Sequence, residues 1–194
     1  EPVMFMDHAP GNRGLFAFED ASGAWGFRDA KGRIVVAPRF RFVYEMSKEG
    51  VTGAIDAKGR PVFLDERGAV LAEALLFDNG PDYFQAGYAR IVERGKVGFL
   101  DEEGRVAIPP RWDYAGAMCQ GRAVVCVGCV RQKAGEHDEW RGGKWGFIDT
   151  RGREVIPLVY DEAEGFTDGV AEVVKGGKRL TIDRAGAVVT RPAP

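Results

Sequence analysis

Cys119, Cys126, Cys129 and His137 are the residues whose types and spacing come nearest to chemistry. A Cys-x-x-Cys pair followed by a His, with a third Cys upstream, supplies the ligand types of a Cys3His zinc site. The pattern lacks a second Cys-x-x-Cys knuckle, and two other readings stand beside zinc. In an oxidising compartment Cys126 and Cys129 form a local disulfide with Cys119 left as an odd thiol; otherwise they are reduced thiols near a strand end. A zinc site of this kind is structural unless one position stays open to water, the condition for a metal-dependent hydrolase.

Five Asp residues invite a second chemical reading, as a ladder of metal ligands or paired carboxylates: Asp29, Asp65, Asp101, Asp149 and Asp183. Each is followed three residues later by Gly, and that spacing has a local explanation. Asp at the first position of a type I turn hydrogen-bonds the following backbone, and Gly takes the left-handed conformation that closes a hairpin. His8 lies in a polar N-terminal segment and His137 in a charged stretch, neither joined to a nucleophile by a motif such as Gly-x-Ser-x-Gly. No catalytic residue and no cofactor is assigned, and the expectation is a protein that is not an enzyme.

The elements that position these residues follow from the turn spacing. The Asp residues are 36, 36, 48 and 34 positions apart, so the chain is a tandem repeat with one insertion, in the fourth copy. Before each Asp lies a strand-like run, as in Trp25-Gly26-Phe27-Arg28 or Trp145-Gly146-Phe147-Ile148, and after each Gly another, as in Val106-Ala107-Ile108. A third run precedes these two, joined by polar Gly turns such as Glu93-Arg94-Gly95-Lys96. One unit is therefore a three-stranded antiparallel meander.

Connectors rich in aromatic and acidic residues separate the meanders, such as Pro110-Arg111-Trp112-Asp113-Tyr114-Ala115. Their proline is expected to end the strand and their rings to roof the next sheet edge. The best helical candidate, Ala72 to Phe77, is too short for a helix and reads as connector.

Alternation along the middle strand puts Trp25, Phe27, Phe63, Phe99, Trp145 and Phe147 on one face and Leu64, Leu100, Ile148 and Ile182 on the other. Polar exceptions fall in the first and last copies, at Arg28, Arg179 and Thr181, as in capping repeats of an open stack. The expected fold is all-β: tandem three-stranded antiparallel meanders in an open solenoid-like stack, with a five-bladed β-propeller as the alternative. It forms a single domain over 1–194, with units at about 14–37, 50–72, 87–109, 121–157 and 169–190 and a partial N-terminal connector over 1–13.

Lys144-Trp145-Gly146-Phe147-Ile148-Asp149, then Gly152, Val155-Ile156-Pro157, Tyr160-Asp161, Phe166, Gly169 and Ala171, resemble the consensus of the bacterial WG-containing repeat. The likeness runs from Gly14 to Val189. The Trp-Gly pair itself survives only at Trp25-Gly26 and Trp145-Gly146, giving way to Pro61-Val62, Val97-Gly98 and Arg179-Leu180 elsewhere. The resemblance implies a binding or scaffolding role and brings no catalytic residues with it.

Composition narrows the partners. The formal net charge is −2 with basic and acidic residues interspersed, so no basic stripe is available for nucleic acid. No apolar run reaches the roughly 20 residues of a membrane span, so no membrane insertion is expected. The Glu1-Pro2 start fits removal of a signal peptide as well as a trimmed chain, and a periplasmic or secreted location is the expectation.

The insertion in the fourth copy, Cys126 to Gly143, is the expected specificity element, a surface loop on a binding face. Its candidates for partner contact are Arg131, Glu136, His137, Asp138, Trp140 and Arg141. Trp140 lies outside the phase of the strand pattern and reads as an exposed interface anchor, whereas Trp25 and Trp145 are in phase and read as core. Three function classes follow: a protein-binding module, such as an exported immunity protein or inhibitor that blocks a toxin or effector; a carbohydrate or cell-envelope binder using Trp112, Tyr114, Tyr160 and Phe166; and, last, a metal-dependent hydrolase.

Overall fold

A computed structural model describes residues 13–134 and 137–190. They form an all-β chain without helices, built from small antiparallel sheets none of which closes into a barrel. Two compact units are present. Glu1–Asp82 with Glu102–Arg105 form unit 1, and Tyr83–Asp101 with Val106–Pro194 form unit 2.

Unit 1 holds three sheets. The first is β1 (Leu15–Glu19), β2 (Trp25–Asp29) and β3 (Ile34–Phe40), and the second β4 (Phe42–Val43), β5 (Val51–Ile55), β6 (Pro61–Asp65) and β7 (Val70–Glu73). A small pair, β8 (Leu76–Phe77) with β9 (Gly80–Pro81), completes it, so residues 72–77 are the end of one strand and the whole of another. Unit 2 opens with β10 (Tyr88–Glu93), β11 (Lys96–Asp101) and β12 (Val106–Trp112). The next sheet is β13 (Tyr114–Ala115), β14 (Arg122–Ala134), β15 (His137–Asp149) and β16 (Glu154–Tyr160), and the last is β17 (Glu162–Ala163), β18 (Val170–Lys175) and β19 (Lys178–Asp183).

The meanders are as the sequence predicts, but the connectors are not. Proline does not end the third strand; it lies within it. Val97 faces Trp112 and Phe99 faces Ile108, so β12 carries two more residues than β11 over the same stretch, and Pro109-Pro110 form the bulge. The same irregularity separates Trp25↔Phe40 from Phe27↔Val36 and Trp145↔Tyr160 from Phe147↔Ile156. The bulge presses the third strand's backbone onto the middle strand at the Gly of each Trp-Gly position. A Cβ on Gly98 would stand 2.5 Å from the Ile108 carbonyl oxygen, and one on Gly146 2.6 Å from that of Ile156. In the second sheet Val62 replaces that Gly, and β6 and β7 pair there without the bulge, Val62 against Glu73 and Phe63 against Ala72.

Beyond the bulge the strand continues, bends at one residue and enters the next sheet as its first strand: β3 through Arg41 into β4, β12 through Asp113 into β13, and β16 through Asp161 into β17. Three aromatic residues of the later connectors are consequently core rather than roof. Trp112, Tyr160 and Phe166 are buried, which removes three of the four rings from any sugar-binding groove. Phe27, Phe63, Phe99 and Phe147 on one face and Leu64, Leu100, Ile148 and Ile182 on the other are each at most 2% exposed. Burying each such side chain contributes about 1.5–3 kcal/mol.

Within each unit the Asp-x-x-Gly turns also join neighbouring sheets. A Cβ on Gly68 would meet the Val36 side chain at 2.5 Å and one on Gly152 that of Ile108 at 2.8 Å, so each turn rests on the third strand of the preceding sheet. Arg39 donates to the Gly68 carbonyl at 2.7 Å, and Arg111 donates likewise to that of Gly152. Gly32 has open space around it, as expected of the first copy.

A candidate binding cleft beside the inserted ribbon

The five Asp residues have the turn role the spacing predicts wherever their contacts are described. Asp149 accepts from the Arg151 and Arg153 N–H groups at 2.9 and 3.0 Å and from Arg153 Nε at 2.8 Å. Burial pushes its pKa up, but these hydrogen bonds outweigh it and leave the carboxyl below its ordinary value. Asp20 and Asp56 make the same turn in the first hairpins of the first two sheets. Both carry the Asp-x-x-Gly signal in the sequence but fall out of phase with the 36-residue spacing.

The insertion is a ribbon, not a loop. β14 and β15 pair without interruption in direction from Arg122↔Asp149 to Ala134↔His137, replacing the two-residue turn at Arg94-Gly95 that closes β10 and β11. Paired antiparallel strands satisfy each other's backbone groups, which a long irregular loop does not. Three glycines with positive φ, Gly128, Gly142 and Gly143, mark its root. Asp113 holds that root by accepting from the Gly128 N–H at 2.8 Å, and the Lys96 ammonium together with that N–H keeps its carboxyl below the usual range. Asp161 repeats the device one sheet on, held down by Lys144 at 2.7 Å and the Gly176 N–H at 2.7 Å.

Cys126 and Cys129 are joined as a disulfide in β14, their Cα atoms 6.1 Å apart, and both are buried. Cys119 is an exposed free thiol ahead of that strand. Two of the four potential zinc ligands are therefore bonded to each other. Glu136 lies outside the described residues, as do His8 and the side chains of His137 and Asp138.

Trp140 differs from its expectation as an exposed anchor. It is half-buried, with its ring 5.4 Å from that of Tyr114, which in turn lies 5.3 Å from Trp145. Trp145 is core, as predicted, and its indole N–H donates to the Gly142 carbonyl at 2.9 Å. Arg131 faces Trp140 across the ribbon and stands exposed.

These three rings line a cleft of about 550 Å³ in unit 2, bounded by Glu139–Arg141 of the ribbon on one side and by β17, Glu164, Gly165 and the Glu172–Val174 segment of β18 on the other. Arg141 reaches across it, pairing with Glu139 on its own strand and with Glu162 at 3.6 Å. Arg179 pairs with Glu172 at 3.2 Å. Glu162, Glu164 and Glu172 were not among the sequence candidates. Their signal is in the connector, where Glu162 and Glu164 occupy the places held by Phe42 and Tyr44 two and four residues after the bulge aromatic.

Comparison with known families finds the WG containing repeat at residues 25–54, 98–128 and 145–178. The first and third matches begin at the Trp-Gly pairs, and the second at Gly98. Residues 129–144, most of the ribbon, lie between the second and third matches, as 55–97 lie between the first and second. A search of curated proteins finds no match. The bulge-and-glycine construction recurs at the three places where the family pattern is found; the chain belongs to the WG containing repeat family.

Proposed function

We propose that this protein is a non-catalytic protein-binding module in which the β14–β15 ribbon and the cleft beneath it select the partner. Membership of the WG containing repeat family supports a binding-type module. The observation that carries the finer reading is the ribbon itself: an insertion between two family matches, seated by Trp140 on Tyr114 and leaving a wide cleft open beside it. Repeat arrays present rigid surfaces, and insertions on one face supply specificity. The described turn aspartates have structural partners, which supports a role without catalysis and without a cofactor. A disulfide between Cys126 and Cys129 persists in an oxidising compartment, which supports a periplasmic or secreted location. Within that setting the reading is of the immunity or inhibitor kind, a small exported protein that occupies the surface of a toxin or effector and blocks it.

Replacing residues 128–143 by Asn-Gly tests this reading, because Val127 and Lys144 already pair and a two-residue turn closes them as it closes β10 and β11. The variant is expected to keep its β-sheet circular dichroism and to lose the partner protein recovered by cross-linking to the intact chain. Undiminished recovery with the ribbon removed would overturn the assignment of specificity to it.

A further inference from the structure

We propose that the cleft between the ribbon and the last sheet seats an arginine side chain of the bound protein; this rests on the protein-binding reading above. The inference comes from comparing the steps between successive sheets. In unit 1, Trp25 is covered by Phe42 of the following strand, their centroids 5.3 Å apart, and Phe42 stands edge-on to Tyr44 at 5.1 Å. Pairing of Trp25 with Phe40 and of Trp145 with Tyr160 fixes the equivalence of the two steps. In unit 2 the residues corresponding to Phe42 and Tyr44 are Glu162 and Glu164, so the place of two rings is taken by two carboxylates and a cleft remains beside Trp145.

That exchange changes what the space can hold. Rings of Tyr114, Trp140 and Trp145 form one wall, and aromatic faces attract a cation. Glu139, Glu162, Glu164 and Glu172 line the cleft against only Arg141 and Arg179, leaving two carboxylates in excess. Glu164 makes no side-chain hydrogen bond or ion pair among the described residues. Arg141, held between Glu139 and Glu162, demonstrates that the lip accepts a planar guanidinium. Glu164, on the cleft's far side from the rings, is open to an incoming cation. Charge complementarity combined with the aromatic wall favours arginine, whose fork serves carboxylates while its face stacks on rings.

The test uses the whole protein and two soluble peptides, Gly-Ser-Arg-Ser-Gly and the same peptide with citrulline, a neutral isostere, in place of arginine. Titration to roughly millimolar concentration is followed through the indole N–H resonances of Trp140 and Trp145. The arginine peptide is expected to shift both, and the citrulline peptide to bind at least about tenfold more weakly, the factor that one desolvated cation–π contact supplies. Glu162→Gln with Glu164→Gln should weaken the arginine peptide by a similar factor. Glu102→Gln with Glu103→Gln removes the same charge from an exposed turn elsewhere and should leave binding unchanged. Equal binding of the two peptides, absence of any shift, or equal effects of the two double variants would overturn the proposal. Failure here leaves the binding module standing if Asn-Gly replacement of the ribbon still abolishes partner recovery; unchanged recovery in that experiment is what would sink the underlying reading.

Discussion

Gly146 shows how one missing methyl group organises a repeat. Its place on the middle strand faces the backbone of the bulged third strand, and an added Cβ would lie 2.6 Å from the Ile156 carbonyl oxygen and 2.8 Å from Pro157. Backbone on both sides cannot yield as a flexible side-chain tip can, so Gly146→Ala must flatten the bulge or separate the strands. Overpacking of this kind costs about 1–3 kcal/mol. Gly165 provides the contrast, with no neighbour within 4 Å of a Cβ and no positive φ. Gly165→Ala is expected to be neutral or to stabilise by up to about 1 kcal/mol through the unfolded chain. Urea denaturation of the two variants measures both, and equal midpoints would mean that the close approach at Gly146 is not a constraint. The same reasoning explains why Val62 is tolerated in the second sheet: β7 pairs there without the bulge that presses backbone onto the Gly positions, and its side chain packs into the core.

At the scale of elements, the ribbon is held at its root by glycines and Asp113 and along its length by the seat of Trp140 on Tyr114. If that seat couples ribbon to sheet, Trp140→Ala and Tyr114→Ala should be non-additive, with an interaction of about 0.5–1.5 kcal/mol for a tilted aromatic pair. Additive losses in a double-mutant cycle would show that the ribbon stands independently of β13. This contact also marks the limit of what the sequence discloses. Strands and turns were legible because Asp-x-x-Gly at repeated spacing and alternating apolar residues are local signals, readable within ten residues. In the sequence the ribbon reads as a loop because its alternation is weak and its described glycines sit at the root. Pro110 reads as a strand end in the sequence because a bulge is defined by the partner strand, and only the Gly at position 98 betrays it. Cys126, Trp140 and Arg141 could be named from sequence; Glu162 and Glu164 could not, because their meaning lies in the aromatic residues at the equivalent places in unit 1, Phe42 and Tyr44.

Across the whole molecule the stability of a repeat chain is a sum of sheets and nearest-neighbour steps, and here the turns that close sheets and the residues that link them share one chemistry. Asp20, Asp29, Asp56, Asp113, Asp149 and Asp161 all have carboxyls below their ordinary value of 3.8. In each the charged form accepts hydrogen bonds from backbone N–H groups, and in five of the six a Lys or Arg side chain adds to them, Asp20 using Ser22 instead. A carboxyl depressed by folding binds fewer protons in the native than in the unfolded state at and below its ordinary value. Its contribution is fully present above 3.8 and is lost as pH falls through the folded value. Stability to urea should therefore be level from neutral pH down to about 5 and then fall steadily into acid. Asp149→Asn isolates one share of that slope. The amide keeps an acceptor for the Arg151 and Arg153 N–H groups but loses the charge that holds the Arg153 guanidinium, and should cost on the order of 1 kcal/mol at neutral pH. The gap between variant and wild type should narrow as pH falls through the depressed folded value, below which Asp149 is protonated in both states of the wild-type chain. A gap that persists undiminished in acid would assign the loss to altered turn geometry instead of to charge, and would remove carboxylate-closed turns as the source of the acid limit.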